Sequence, residues 1–179
     1  GSVCSVDKNK KRLESVKRAA SRLGVDIVEV HCMDMEEPGP YTELLKKECQ
    51  EKNGFDKVLL DAPCSGLGVI RRTPDIKKRI NEDDLARLSK LQAKLLKNAS
   101  GLVRAGGVLV YSVCSMEKEE TDDVVNGFLE KNKDFEVDSA VDVLSDECGK
   151  LIDASGFLRT DPSMEALDGF FAVRLVRKK

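Results

Sequence analysis

The 179-residue chain contains a single histidine, His31, and no Cys-x-x-Cys pair. Without a second histidine there is little material for a Ser-His-Asp triad or a histidine metal cluster, and His31, ending an apolar run, reads as structural or surface. The cysteines, Cys4, Cys32, Cys49, Cys64, Cys114 and Cys148, are scattered too widely for a zinc site or a thiol redox motif, so no metal is expected. The bland reading of any one of them is a small buried hydrophobe. No apolar run approaches a membrane span, and the N-terminus lacks the basic, apolar and small-residue order of a signal peptide. An intracellular compartment is therefore expected, whether cytoplasm, nucleolus or organelle, with no membrane partner. Neither sign of charge dominates: 30 Lys and Arg face 32 Asp and Glu. With 41% apolar and 35% charged residues, the composition is that of a globular chain able to bury a core. No repeat, low-complexity segment or linker is visible, so one compact unit is the default expectation.

What is present is an alternation of short apolar runs with longer amphipathic ones, the pattern of strands joined by crossover helices. Strands are expected at Val3–Val6, Val25–Val30, Asp56–Leu60 and Val108–Val113, the last apolar enough to be buried on both faces. Helices are expected from Lys8 to Leu23, with Leu13, Val16, Ala20 and Leu23 on one face and Gly24 as the stop, and from Tyr41 to Cys49. A longer one runs from Glu82 to Leu102, capped by Asn81, with Leu85, Leu88, Leu91, Leu95 and Leu102 as its buried stripe. Gly106-Gly107 reads as a turn. Lys118–Lys131 reads as a helix, Phe135–Val137 as a strand, and Phe157–Arg159 with Gly169–Val176 as an antiparallel pair at a sheet edge. The fold class is thus α/β, doubly wound, in which ligands bind beyond the carboxyl ends of the strands. Asp7, Asp34, Asp61 and Cys114 all fall at such ends. An Asp after a strand is often only a turn former, a reading that stands beside the functional one for Asp7 and Asp34 taken alone.

Two stretches carry chemistry. Asp61-Ala62-Pro63-Cys64-Ser65-Gly66 follows a strand, and Pro63, lacking an amide donor, cannot continue a central ladder, so the chain turns there. The turn puts the Asp61 carboxylate and the Cys64 thiol in the crevice. Tyr111-Ser112-Val113-Cys114-Ser115 also ends a strand, and a helix start nearby would favour a thiolate at Cys114. Two thiols beside a carboxylate suit one attacking group and one proton-handling group. Arg71, Arg72, Lys77, Lys78 and Arg79 form a basic cluster just beyond. Such a cluster is ordinarily a solvated face, and only beside a nucleic-acid site would it read as phosphate contacts.

These stretches, with Gly68–Lys77, Gly106–Ser115 and the terminal Asp168-Gly169-Phe170-Phe171, closely resemble the Sun (Fmu) family of RNA cytosine-5 methyltransferases, in the family's order and over nearly the whole chain. The resemblance implies a Rossmann-like S-adenosylmethionine-dependent methyltransferase fold, with a mostly parallel sheet and an antiparallel C-terminal edge. Residues 1–179 are then expected to be part of a catalytic domain acting on rRNA or tRNA. It implies that Asp7 binds the ribose hydroxyls of S-adenosyl-L-methionine and Asp34 the adenine end. Asp61 counts with both the cofactor-binding and the catalytic residues, facing the target cytosine. Cys114 would be the nucleophile and Cys64 the cysteine that helps release product. DNA cytosine methyltransferases resemble this chemistry but attack with the Pro-Cys cysteine, so the second cysteine favours RNA. From another class, a non-catalytic RNA-binding or ribosome-assembly factor would keep the fold and use both cysteines as packing.

Two features depart from the family pattern. The glycine-rich cofactor segment Ala-Pro-Gly-Gly-Lys does not occur in the sequence, nor do the strand before it and the helix after it. The chain is therefore expected to be N-terminally truncated relative to the family, leaving two open inner sheet edges. Val113 stands where threonine is more frequent, and the missing hydroxyl is expected to bear on thiol positioning. The 179-residue chain alone is expected to bind S-adenosylmethionine weakly or not at all, and calorimetric titration tests this: micromolar binding would overturn it.

Overall fold

Apolar runs that alternate with polar residues fold as strands, and the longer amphipathic stretches cover them. The computed structural model describes residues 1–37, 54–139, 141, 144–164 and 167–179. The helix expected at residues 41–49 lies outside them. The chain forms two compact units, Gly1–Lys47 and Glu48–Lys179, although the sequence shows no linker between them.

In the first unit β1 (Val3–Asp7) and β2 (Val28–Cys32) pair in parallel around α1 (Lys10–Arg22). The helix starts two residues later than expected because Asn9 caps it, its side chain accepting from the Lys11 and Arg12 amides. Gly24 in the left-handed conformation follows its end. Of the expected apolar face only Leu13 is buried, while Val16 and Leu23 are exposed. A two-stranded sheet is too narrow to cover a whole helix stripe.

The second unit is a mixed five-stranded sheet. β3 (Phe55–Asp61) runs parallel to β4 (Val103–Val113), which pairs antiparallel with β7 (Phe170–Arg177). The far edge of β7 is shared by β5 (Phe135–Val137) and β6 (Leu158–Thr160), both antiparallel to it. The antiparallel character at the C-terminal side agrees with expectation, but β7 is an interior strand. Among the described residues β1 and β3 each pair on one side only.

β4 begins at Val103, earlier than expected. Gly106-Gly107 is an irregularity inside the strand, where the register jumps from Phe55↔Val103 to Lys57↔Val108, not a turn before it. Gly106 has a φ of 71°, and a Cβ on Gly107 would lie 2.9 Å from the Arg104 carbonyl oxygen. Burial along β4 is also one-sided, with Leu109, Tyr111 and Val113 fully buried and Val108 and Val110 half-buried.

Helix α2 (Ile76–Arg79) is a single turn, and α3 (Glu82–Ser100) is the main covering helix. Asn81 caps α3 as expected, in a reciprocal box with Asp84. Its buried stripe runs through Leu88, Gln92, Leu95, Leu96 and Ala99, shifted from the expected leucines and including a glutamine. The region expected to be one helix from Lys118 splits into a 3-10 turn, Lys118–Glu120, and α4 (Asp122–Lys131). A last short helix, α5, spans Asp146–Gly149. The core lies between the sheet and α3 and α4, centred on Leu96, Tyr111, Val125, Phe171 and Leu175. Among the described residues no helix is long and apolar enough to cross a membrane.

Leu96→Ala is expected to cost about 2–5 kcal/mol by leaving a cavity in this core. Asn81→Ala should cost about 1 kcal/mol through the lost cap. Urea unfolding midpoints should rank them in that order, and equal midpoints would contradict the burial assigned to Leu96.

Candidate active site

The parallel register of β3 and β4 sets Asp61 opposite Ser112, so both strands end level. Ser112 Oγ donates to Asp61 Oδ1 at 3.0 Å, fixing one carboxylate oxygen. Beyond the strand ends the two cysteine loops meet, with Cys64 Sγ and Cys114 Sγ 3.1 Å apart. That is well beyond the bond length of about 2.05 Å in a disulfide, and both cysteines are free thiols. Both are half-buried, neither sealed in the core nor fully open.

One S–H can point at the other sulfur, so the pair readily loses one proton and holds the second. The hydrogen bond from Cys64 brings the Cys114 thiol down to about 7, against opposing burial and the negative charges of Asp61 and Glu120. The same bond, aided by burial, pushes the Cys64 thiol well up. A helix N-terminus does not supply this effect as the sequence suggested, because α4 begins only at Asp122, after the 3-10 turn. The neighbouring thiol does.

The loops are locked together. Gly68 N donates to Cys114 O at 3.1 Å, and Gly169 N donates to Gly68 O at 2.8 Å. A Cβ on Gly68 would fall 2.0 Å from the Gly169 carbonyl oxygen, so no larger residue fits there. Pro63 O and Ser65 are held by two residues that the sequence reading missed, Gln92 and Glu120. Gln92 sat at a helix position that periodicity marks as buried but polarity hid, and Glu120 was lost in the charged run Glu117 to Glu120. Val113 is fully buried in the core cluster, so a threonine hydroxyl there would enter the core. The swap therefore bears on packing rather than on the thiols.

The basic cluster is exposed, and part of it is already engaged. Arg72 Nε lies 2.8 Å from Asp168 Oδ2, and Arg71 Nη2 lies 3.8 Å from Asp168 Oδ1 and donates to Leu167 O at 3.1 Å. These contacts tie the segment after Cys64 to the Asp168-Gly169 turn. Lys77 lies on α2, facing solvent.

Asp7 and Asp34 belong to the first unit, at the carboxyl ends of its two parallel strands. Asp7 Oδ1 accepts from Asn9 N at 2.7 Å, and Oδ2 lies 3.4 Å from Arg12 Nη1. Asp34 Oδ1 accepts from Glu36 N at 2.9 Å, and Oδ2 lies 3.9 Å from Lys8 Nζ. Each carboxylate thus uses one oxygen as a turn former and turns the other to an exposed, weakly held cation. His31 lies mostly buried, 3.8 Å from Glu29.

The family described as 16S rRNA methyltransferase RsmB/F matches residues 1–176. A Bacillus subtilis protein named probable ribosomal RNA small subunit methyltransferase B is 39% identical over 99% of this chain and 38% of its own length. The Thermus thermophilus ribosomal RNA small subunit methyltransferase B is 37% identical over 98% of the chain and 39% of its own length. The crystal structure of NSun6 from Pyrococcus horikoshii with SFG is 26% identical, with a TM-score of 0.76, over all of this chain and 42% of that one. The chain spans less than half the length of these relatives.

Alkylation of Cys114 by iodoacetamide should rise with a midpoint near pH 7, since only the thiolate reacts. Below that pH Cys114 protonates and the rate falls. Cys64→Ala removes the donor and should move the midpoint up, towards the ordinary thiol value of about 8.5. An unchanged midpoint in Cys64→Ala would refute the thiol pairing. By its match over nearly its full length and by its Rossmann-like fold, the chain belongs to the RsmB/F family of 16S rRNA methyltransferases.

Proposed function

We propose that the chain is part of the catalytic domain of an RNA cytosine-5 methyltransferase that uses S-adenosyl-L-methionine and acts on small-subunit rRNA. The observation that carries the reading is the Cys64–Cys114 pair, 3.1 Å apart, at the end of the strand bearing Asp61. A poor carbon nucleophile such as cytosine C5 needs covalent activation, and a thiol poised to ionise near neutral pH supports that role.

Cys114 is the nucleophile. Its thiolate attacks C6 of the base, the C5–C6 double bond opens, and C5 becomes enamine-like. S-adenosylmethionine supplies the electrophilic methyl group that C5 then accepts. Asp61, with one oxygen held by Ser112, keeps the other to accept from the N4 amino group of the base, which orients the ring for attack at C6. The C5 proton then passes to water, the C6–sulfur bond breaks, and Cys114 departs as thiolate. Cys64, which keeps its proton while Cys114 is ionised, assists that elimination by donating its S–H to the departing sulfur. The crevice requires an extruded or single-stranded cytosine.

Asp7 and Asp34 are assigned to the cofactor, Asp7 to the ribose hydroxyls and Asp34 to the adenine end. The donor chemistry fits, because each has an acceptor oxygen held only by an exposed cation that hydroxyl or amino groups can displace. Arg71, Arg72 and Lys77 are assigned to RNA phosphates. Lys77 is the freest of them, whereas Arg72 must share its charge with Asp168.

With labelled S-adenosylmethionine and small-subunit rRNA, the natural full-length protein should transfer methyl groups, and Cys114→Ala should not. Cys64→Ala should accumulate a covalent protein–RNA adduct that survives denaturing electrophoresis, because elimination stalls. Neither methyl transfer nor adduct in any form would leave a non-catalytic RNA-binding or assembly role instead.

A further inference from the structure

Glu120 is fully buried, yet its hydrogen-bond donors are neutral. Its Oε1 accepts from Ser65 N at 2.9 Å and from Gln92 Nε2 at 2.9 Å, and its Oε2 accepts from Ser65 Oγ at 2.5 Å. Two of the three donors come from the residue that follows Cys64. Gln92 Nε2 also donates to Pro63 O at 3.0 Å, so the residues on both sides of Cys64 are pinned to one carboxylate–amide pair. Glu120 itself is anchored to the other strand, where Tyr111 Oη donates to its carbonyl oxygen at 2.7 Å. Ser65 Oγ and Ser115 Oγ, each next to a cysteine, lie 3.4 Å apart. A buried carboxylate is costly unless its oxygens are hydrogen-bonded, so the fold depends on keeping the Ser65 and Gln92 donors on Glu120.

We propose that Glu120 is a positioning residue, whose carboxylate clamps the Pro63–Ser65 loop against the Cys114 strand so that the Cys64 thiol stays in donor position to the Cys114 sulfur. Its catalytic meaning rests on the cytosine-5 reading, but the geometry does not. The clamp acts at a distance from any substrate, through Ser65 and Gln92. The charged and titratable groups facing Cys114 are Cys64 on the clamped loop, Asp61 at the end of β3 and Glu120 on the 3-10 turn, and Tyr111 on β4 faces Cys64 and Glu120.

The two effects of removing the Glu120 charge have opposite signs. By charge alone, Glu120→Gln takes a negative group away from Cys114 and makes its thiolate easier to form. By position, it replaces one acceptor oxygen with an amide N–H that opposes the donors on that side, either Ser65 Oγ or the Ser65 N and Gln92 Nε2 pair, which loosens the loop, weakens the Cys64 hydrogen bond and makes the thiolate harder to form. The pH profile of Cys114 alkylation by iodoacetamide, in the natural full-length protein, separates them. Glu120→Gln is expected to move the midpoint upward, but less far than Cys64→Ala does because the lost negative charge opposes the shift, lowering the rate at pH 7 by about three- to tenfold. Glu120→Gln combined with Cys64→Ala should move it no further than Cys64→Ala alone. A downward or absent shift, or additive shifts in the double variant, overturns the proposal.

Ser65→Ala, which deletes one donor and leaves the carboxylate, should give a smaller upward shift. It carries the test by itself should circular dichroism show that Glu120→Gln does not fold, and no shift in it overturns the clamp. Alkylation needs neither RNA nor cofactor. Expected profiles in a protein that transfers no methyl group would therefore uphold the clamp and sink the cytosine-5 reading alone.

Discussion

The level ending of two parallel strands is the constraint from which the site follows. In β3 and β4 the hydrogen-bonded register pairs Leu60 with Tyr111 and Asp61 with Ser112, so the two strands end within one residue of each other. A slip of one residue would turn Ser112 away from Asp61 and send Val113 out of the core, because side chains alternate between faces. Burial of Tyr111 and Val113 on one face therefore enforces the placement of Ser112 and Asp61 on the other. Core packing and site geometry are the same specification seen from two sides of one strand.

From that level edge the chain makes two turns, and the second constraint is that they stay together. Backbone bonds through Gly68 and Gly169 close the turns from outside, and the Glu120 carboxylate closes them from within. Between these closures the two sulfurs have little freedom, which is what an S–H···S contact requires. A weak donor such as a thiol yields a useful bond only when the distance is imposed by the surroundings. The depressed Cys114 thiol thus reports on the rigidity of the loops as much as on the chemistry of sulfur.

Much of this was readable from residue order, and what was not has physical causes. The α/β pattern, the strand ends at Asp61 and Cys114, and the Asn81 cap each rest on local signals: apolar alternation, a proline that stops a ladder, a capping residue with acids after it. The Gly106-Gly107 position was misjudged because a pair of glycines marks a turn and an irregular strand equally well. Periodicity spread the α3 stripe over leucines alone, whereas the helix face that meets the Pro63 loop needed a donor, and Gln92 supplies it. Glu120 was invisible for the opposite reason, since a charged run ordinarily faces water and only tertiary structure reveals which member turns inward. The thiol–thiol contact joins residues fifty positions apart, and no local pattern encodes a distance of 3.1 Å.

The two units differ in how firmly they can hold what they carry. In the second, α3 and α4 cover the inner face of a five-stranded sheet, and the side chains behind Asp61 and Cys114 are fully buried. In the first, Leu13 is the buried apolar side chain among the described residues, while Val3, Val16, Leu23, Val25 and Ile27 are exposed. At about 25 cal/mol per Å² of apolar area buried, so small a core contributes little against the entropy of ordering the chain. Asp7 and Asp34 therefore sit on the less self-sufficient scaffold, and the two cysteines on the more rigid one.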